Sequence, residues 1–227
     1  MSFRVAIKLG GGLISDKGSM KKFNNKAVEA VVESLYSAYE LGASIVLVHG
    51  AGSFGHLLAK EWGIAEGLNI LEEQGQRAAV SEIRSDMREL NRLIMGKMAE
   101  RGLECSSHPP SDWATGTGPR FSGDVTIFER GVGEPIPVTF GDVVGTNDET
   151  EFGILSGDDL MLRLSTELEV THSIFLIGDS EGVLSGPPGE MNSELITNLH
   201  HDTKIVGVHN EDIDVTGGIG LKIDRSL

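Results

Sequence analysis

The sequence predicts an α/β fold built on parallel strands, and three observations predict it. The chain opens with a strand–loop–helix–strand unit. Each of its first two strands runs straight into a glycine-rich turn. Strand and helix signals then alternate again in the second half, over Ile136–Phe140, Ser156–Glu169 and His172–Ile177. A short crossover through a helix puts its two strands parallel in one sheet, so both glycine turns fall at the carboxyl edge, where open α/β sheets bind ligands.

The first strand covers about Phe3 to Leu9, carries Lys8 near its end and enters Gly10-Gly11-Gly12, with Lys17 on the same connection. From Asn24 or Asn25, Ala27, Val28, Val31, Val32, Leu35 and Ala38 recur at helical spacing and Gly42 follows as a stop signal. The strand Ser44 to Val48 leads into His49-Gly50-Ala51-Gly52-Ser53-Phe54-Gly55-His56. Three glycines in six residues let backbone amides approach a ligand, and His56 can add a hydrogen bond or a charge, so this loop reads as a phosphate site. A lone loop of this kind is more often only a tight turn, and it gains weight from its companions.

Glu72 to Arg101 reads as one long helix closed by Gly102. Ala79, Ile83, Met87, Leu90, Ile94 and Met98 form its apolar stripe, a core face in the plain reading and a pocket wall around Met87 in the sharper one. Glu104–Ser107 is a strand candidate ended by His108-Pro109-Pro110, and Thr115–Pro119 is loop. Val143–Leu155 is a hairpin with the acidic tip Asp148–Glu151. Ser156-Gly157-Asp158-Asp159 opens a helix, where acidic residues are favoured by capping alone. His172–Ile177 is expected as a buried strand and precedes Asp179-Ser180-Glu181-Gly182-Val183. Short strands at Leu195–Leu199 and Lys204–Val208, and a helix opened by Asp214-Val215-Thr216-Gly217-Gly218 and bearing Lys222, complete the chain.

Bulk properties narrow the function. The chain has 227 residues with ordinary soluble-globular composition, and 19 basic against 34 acidic residues give a net charge of −15. Such a surface repels nucleic acid and anionic membranes, so an anionic substrate needs a local cationic pocket. The single Cys105 excludes an internal disulfide and a multi-cysteine metal site, which fits a reducing, cytoplasmic setting. The start of the chain has no apolar leader, and no run approaches the roughly 18 apolar residues of a membrane span. The expectation is an unprocessed soluble protein. The adjacent His200 and His201 point to opposite faces of a strand and do not share an ion, so no protein metal site is expected. Two glycine turns with lysines between them suit in-line phosphoryl transfer, which needs two phosphates held together and the moving charge neutralised. Neither a Walker Gly-Lys-Ser/Thr nor a His-Arg-Asp loop is present.

Five motifs carry a resemblance in order along the chain: Lys8-Leu9-Gly10-Gly11, His49 to His56, Ile154-Leu155-Ser156-Gly157-Asp158-Asp159, Asp179 to Val183, and Asp214 to Gly218. Together they resemble the amino acid kinase superfamily, and within it the isopentenyl phosphate kinases. The resemblance implies a three-layer αβα sandwich in one domain, with the part to about residue 150 binding the acceptor and 151–227 the nucleotide, usually as a homodimer or larger. It implies ATP and Mg²⁺ as cofactors, with the metal held mostly by ATP phosphates and water. Lys8 and Lys222 would contact the transferring phosphate, Asp158 would orient them, and the amides of Gly50, Ala51 and Gly55 with His56 would hold the acceptor phosphate. Gly10, Gly11, Lys17, Asp179, Gly182 and Gly217 would lie along the nucleotide, and Ile83 and Met87 would wall an apolar pocket. Fosfomycin kinase and an inactive organophosphate-binding module are the alternatives. The chain departs from the family pattern at Gly12, where serine is usual, at Glu181, where aspartate is common, and at its end, since family members usually continue further past the Lys222 helix.

Overall fold

The computed structural model describes residues 3–16, 19–178, 181–186 and 193–198. Its first strand, β1 (Phe3–Leu9), pairs in parallel with β2 (Ala43–His49), with Leu9 opposite His49, so both strands end at the same level of the sheet. Between them run one helical turn, α1 (Gly11–Ile14), and the long α2 (Asn25–Glu40). The Asn24 side chain accepts from the Ala27 amide to cap α2, and Gly42 beyond it takes φ +83°, as the sequence signals require. After β2 come α3 (His56–Glu61), the 28-residue α4 (Glu73–Glu100) and β3 (Cys105–Ser107). Then follow α5 (Pro110–Trp113), β4 (Ala114–Thr115), β5 (Ser122–Gly123), β6 (Ile136–Phe140), β7 (Asp142–Gly145), β8 (Phe152–Leu155), α6 (Gly157–Glu167) and β9 (His172–Leu176).

The main sheet among the described residues has the order β3-β6-β2-β1-β9, and every pair in it is parallel. Strand alternation sorts the core into two halves. Val5, Ile7, Leu9, Ile45 and Leu47 face Val28, Val32 and Leu35 of α2 and Ile83, Met87 and Leu90 of α4. Ala6, Val46 and Val48 face Leu160, Met161 and Leu164 of α6. Helices therefore cover both faces of a central sheet, giving the three-layer α/β arrangement.

Two expectations change. The Val143–Leu155 hairpin forms as β7 and β8, but it belongs to a second sheet of order β5-β4-β7-β8, whose two-residue strands within Ala114–Gly123 are too short to leave a periodic signal. The strand at His172 is not buried. His172, Ser173 and Ile174 are exposed, because β9 lies at the edge of the described sheet and pairs on one side, with β1. The Lys204–Val208 strand and the Lys222 helix lie outside the described residues, and Leu195 makes one isolated antiparallel bridge to Leu184.

Candidate active site

The two glycine turns meet backbone to backbone. A side-chain carbon on Gly11 would strike the amide nitrogen of Gly52, and one on Gly50 would come within 2.9 Å of the Gly11 nitrogen. Gly52 itself sits at φ +51°, which glycine adopts without strain. Ser15 ties the turns together: its hydroxyl donates to Gly11 O at 2.9 Å and accepts from the Ser53 amide at 2.8 Å.

Beneath this junction Lys8 and Asp158 form a buried ion pair, Nζ to Oδ1 at 2.5 Å. Lys8 alternates with the inward-facing β1 residues and so points toward α6. There Gly157 packs so closely that a side chain on it would reach the Lys8 stem at 3.0 Å. The first turn of α6 divides the two acids that capping could have explained together. Ser156 caps the helix by accepting from the Asp159 amide, and its hydroxyl donates to the Asp159 carboxylate at 2.7 Å, a reciprocal capping pair. Asp158 turns away from the cap to hold Lys8.

The placement of the other expected residues is mixed. Gly10 lies at the end of β1, but its amide donates to Leu176 O at 2.8 Å, and Gly11 and Gly12 take the first two positions of α1. The Gly50 amide donates to Leu9 O at 2.9 Å, continuing the β1–β2 ladder past the end of the strands. Its N–H is therefore spent on the sheet and not offered to an anion, a correction to its expected role. Ala51 precedes a short 3₁₀ turn at Gly52–Phe54, Gly55 is buried with its N–H donated to Gly52 O, so the same correction applies to its amide, and His56 opens α3, half-buried. Ile83 and Met87 are buried core residues of α4, and Gly55 packs against them, its missing side chain 3.3 Å from Met87 Sδ and 3.8 Å from Ile83 Cγ2. Gly182 packs beside Leu195. Lys17, Asp179, Gly217 and Lys222 lie outside the described residues.

Three features near the loop escaped sequence reasoning. Lys21 donates its amide to Ser53 O and pairs with the buried Asp86 of α4 at 2.7 Å. An acid next to Met87 on an apolar stripe was the available signal. His49 is fully buried, stacked on Phe140, and burial lowers its pKa to about 4. Asp142, just past β6, is pushed up to about 6 by burial, and its Oδ2 has no hydrogen-bond partner. Gly141 beside it donates to His49 O at 3.0 Å, which brings this end of β6 to the same edge.

The fold and this junction define a phosphotransferase class. Residues 3–227 match the model of the amino acid kinase family, and the chain belongs to it. Within that family the chain is similar to an isopentenyl phosphate kinase of Thermoplasma acidophilum, 33% identical over 97% of this chain and 84% of the relative. It is also similar to an isopentenyl phosphate kinase of Methanocaldococcus jannaschii, 29% identical over 96% of this chain and 84% of that one. The crystal structure of the T. acidophilum isopentenyl phosphate kinase product complex superposes with a TM-score of 0.78 at 28% identity, covering 98% of this chain and 84% of that one.

Proposed function

We propose that this chain transfers the γ-phosphoryl group of ATP to isopentenyl phosphate, forming isopentenyl diphosphate and ADP. The observation that carries the reading is the buried Lys8–Asp158 pair beneath two glycine turns in direct backbone contact. A lysine held by a carboxylate at the meeting point of two turns suits a reaction that needs two phosphates brought together and charge neutralised. The kinases similar to this chain along nearly its whole length support the choice of acceptor.

In the proposed reaction an anionic oxygen of the acceptor phosphate attacks the γ-phosphorus. The bond to the β–γ bridging oxygen breaks, and ADP leaves with the electron pair. No general base is needed, because the attacking oxygen is already anionic at neutral pH. His56 and the amide of Ala51 hold the acceptor, while Lys8 on one side and Lys222 on the other meet the moving phosphoryl group. Gly11 and Lys17 serve the nucleotide from the part to about residue 150, which otherwise handles the acceptor, and Asp179, Gly182 and Gly217 serve it from the remainder. Among the described residues no three His, Cys, Asp or Glu side chains gather in a group that could hold a metal; Mg²⁺ would be carried mostly by the ATP phosphates and water. When bound, the ion supplies positive charge to the β- and γ-phosphates. A homodimer in the cytoplasm belongs to the same reading. No helix among the described residues is long and apolar enough to cross a membrane.

The isopentenyl phosphate kinases similar to this chain favour an apolar acceptor tail over the small polar body of fosfomycin. The test is ATP-dependent ADP release with isopentenyl phosphate, with fosfomycin and with neither. Release only with isopentenyl phosphate is expected; release only with fosfomycin, or with neither, overturns the assignment. Replacing His56 with alanine should reduce kcat/KM by about 100-fold or more while leaving the circular dichroism spectrum unchanged. Near-normal turnover would remove the imidazole from the site.

A further inference from the structure

The imidazole of His49 ends β2 immediately before the loop, with its ring centroid 4.9 Å from that of Phe140. Both ring nitrogens face oxygen atoms, Nδ1 at 3.0 Å from Gly50 O and Nε2 at 3.3 Å from the Asn91 side-chain oxygen. Burial keeps this ring neutral near pH 7, so it has one N–H to give. A backbone carbonyl can only accept. An asparagine amide can turn half a rotation and present its NH₂ instead. Ser107 Oγ, 2.7 Å from Asn91 Nδ2, serves either orientation, because a hydroxyl both donates and accepts. The tautomer that satisfies both ring nitrogens therefore carries its proton on Nδ1, at the cost of the weak contact of Asn91 Nδ2 to Met95 Sδ at 3.4 Å. Ser107 then donates to Asn91, Asn91 to His49 Nε2, and His49 Nδ1 to Gly50 O.

We propose that His49 is a positioning residue: through this relay it fixes the Gly50 carbonyl, and with it the direction of the Ala51 N–H toward the acceptor phosphate. The peptide between Gly50 and Ala51 is planar, and in a trans peptide the C=O and N–H point opposite ways, so holding one aims the other. The neighbouring groups leave that plane little freedom. Gly50 N–H is bonded to Leu9 O, His49 O accepts from Gly141 N, and Ala51 O accepts from Phe54 N at 3.1 Å. Asn91 lies on α4, the helix that places Ile83 and Met87 against Gly55, so one element sets both the relay and the packing of the loop.

The inference rests on reading this loop as the acceptor-phosphate site, and two measurements separate its failure from failure of that reading. Long-range proton–nitrogen correlation spectra of the unaltered protein at pH 7 should show the His49 ring protonated on Nδ1. A ring protonated on Nε2, or on both nitrogens, overturns the relay without touching the acceptor assignment. Steady-state kinetics then compare three variants. His49→Asn places an amide NH₂ near the Nδ1 position and should keep the KM for isopentenyl phosphate within about 3-fold of the unaltered enzyme. His49→Gln places its amide near Nε2 and His49→Phe keeps only the stack on Phe140; both should raise that KM about 10-fold, with the KM for ATP unchanged. Equal losses in all three variants, or a loss that falls equally on ATP, overturn the positioning role. If His49→Phe does not fold, the tautomer and the Asn–Gln comparison decide. An unaltered enzyme that releases no ADP with isopentenyl phosphate overturns both readings.

Discussion

Lys8 and Asp158 are each buried, 5% and 1% exposed, and pair with each other. Breaking a buried ion pair by removing one partner costs about 3–5 kcal/mol. Lys8→Met should therefore lower stability by about that amount and reduce kcat by about 1000-fold or more, since the lost ammonium also neutralises the transferring phosphoryl group. Adding Asp158→Leu to it should restore much of the stability and none of the activity. Denaturant midpoints and turnover measured on the single and double variants check both halves, and recovery of turnover in the double variant would contradict the assignment. Part of this site was legible in the sequence because lysine and glycine stand at the ends of strands. The split between Asp158 and Asp159 was not, since two adjacent acids in a first helical turn look alike until a partner 150 residues away is in place.

At the scale of elements, the contact between the two glycine turns sets a sharp steric limit. Gly11→Ala would drive its methyl group into the Gly52 backbone, which no side-chain rotation can relieve. It should cost about 2 kcal/mol, or ~4–8 °C in Tm. Gly96, exposed on α4 with nothing near its missing side chain, gives the opposite expectation: Gly96→Ala should stabilise by about 0.5–1 kcal/mol. Calorimetric melting of both variants checks the pair, and similar shifts would show that helix propensity outweighs the loop contact. Elements with a strong period or a cap were readable in advance: α2 from Asn24 to Gly42, α4 from its apolar stripe, and β6 from its apolar run. The two-residue strands β4 and β5 were not, because at that length tertiary pairing and not local preference decides the backbone.

Across the whole molecule the charge is net negative, and two lysines at the edge where the loops lie are each paired with an acid, Lys21 with Asp86 and Lys8 with Asp158. Two buried groups near that edge oppose each other in acid. His49, moved from 6.5 to about 4, is neutral in the fold and takes up a proton on unfolding, so its contribution is complete above pH 6.5 and is lost as the pH falls toward 4. Asp142, moved from 3.8 to about 6, behaves inversely: its contribution is complete below pH 3.8 and is lost as the pH rises through 6. The two partly cancel in the unaltered protein. Asp142→Asn should remove one side of the balance and steepen the loss of stability between pH 6.5 and 4 by about 3 kcal/mol. Urea midpoints across that range test it, and parallel curves for variant and parent would refute it. The parallel sheet itself was legible from the β1–α2–β2 opening, whereas these titrating groups were not, since burial depends on strands brought together from distant parts of the chain.

The Ser15 hydroxyl, bonded to Gly11 O on one side and to the Ser53 amide on the other, has a consequence for how ligands are met. Because it couples the two turns while the chain folds, their spacing is settled before any ligand arrives. Encounter then requires little further ordering of the backbone, and the free energy of association can go into discriminating one acceptor from another.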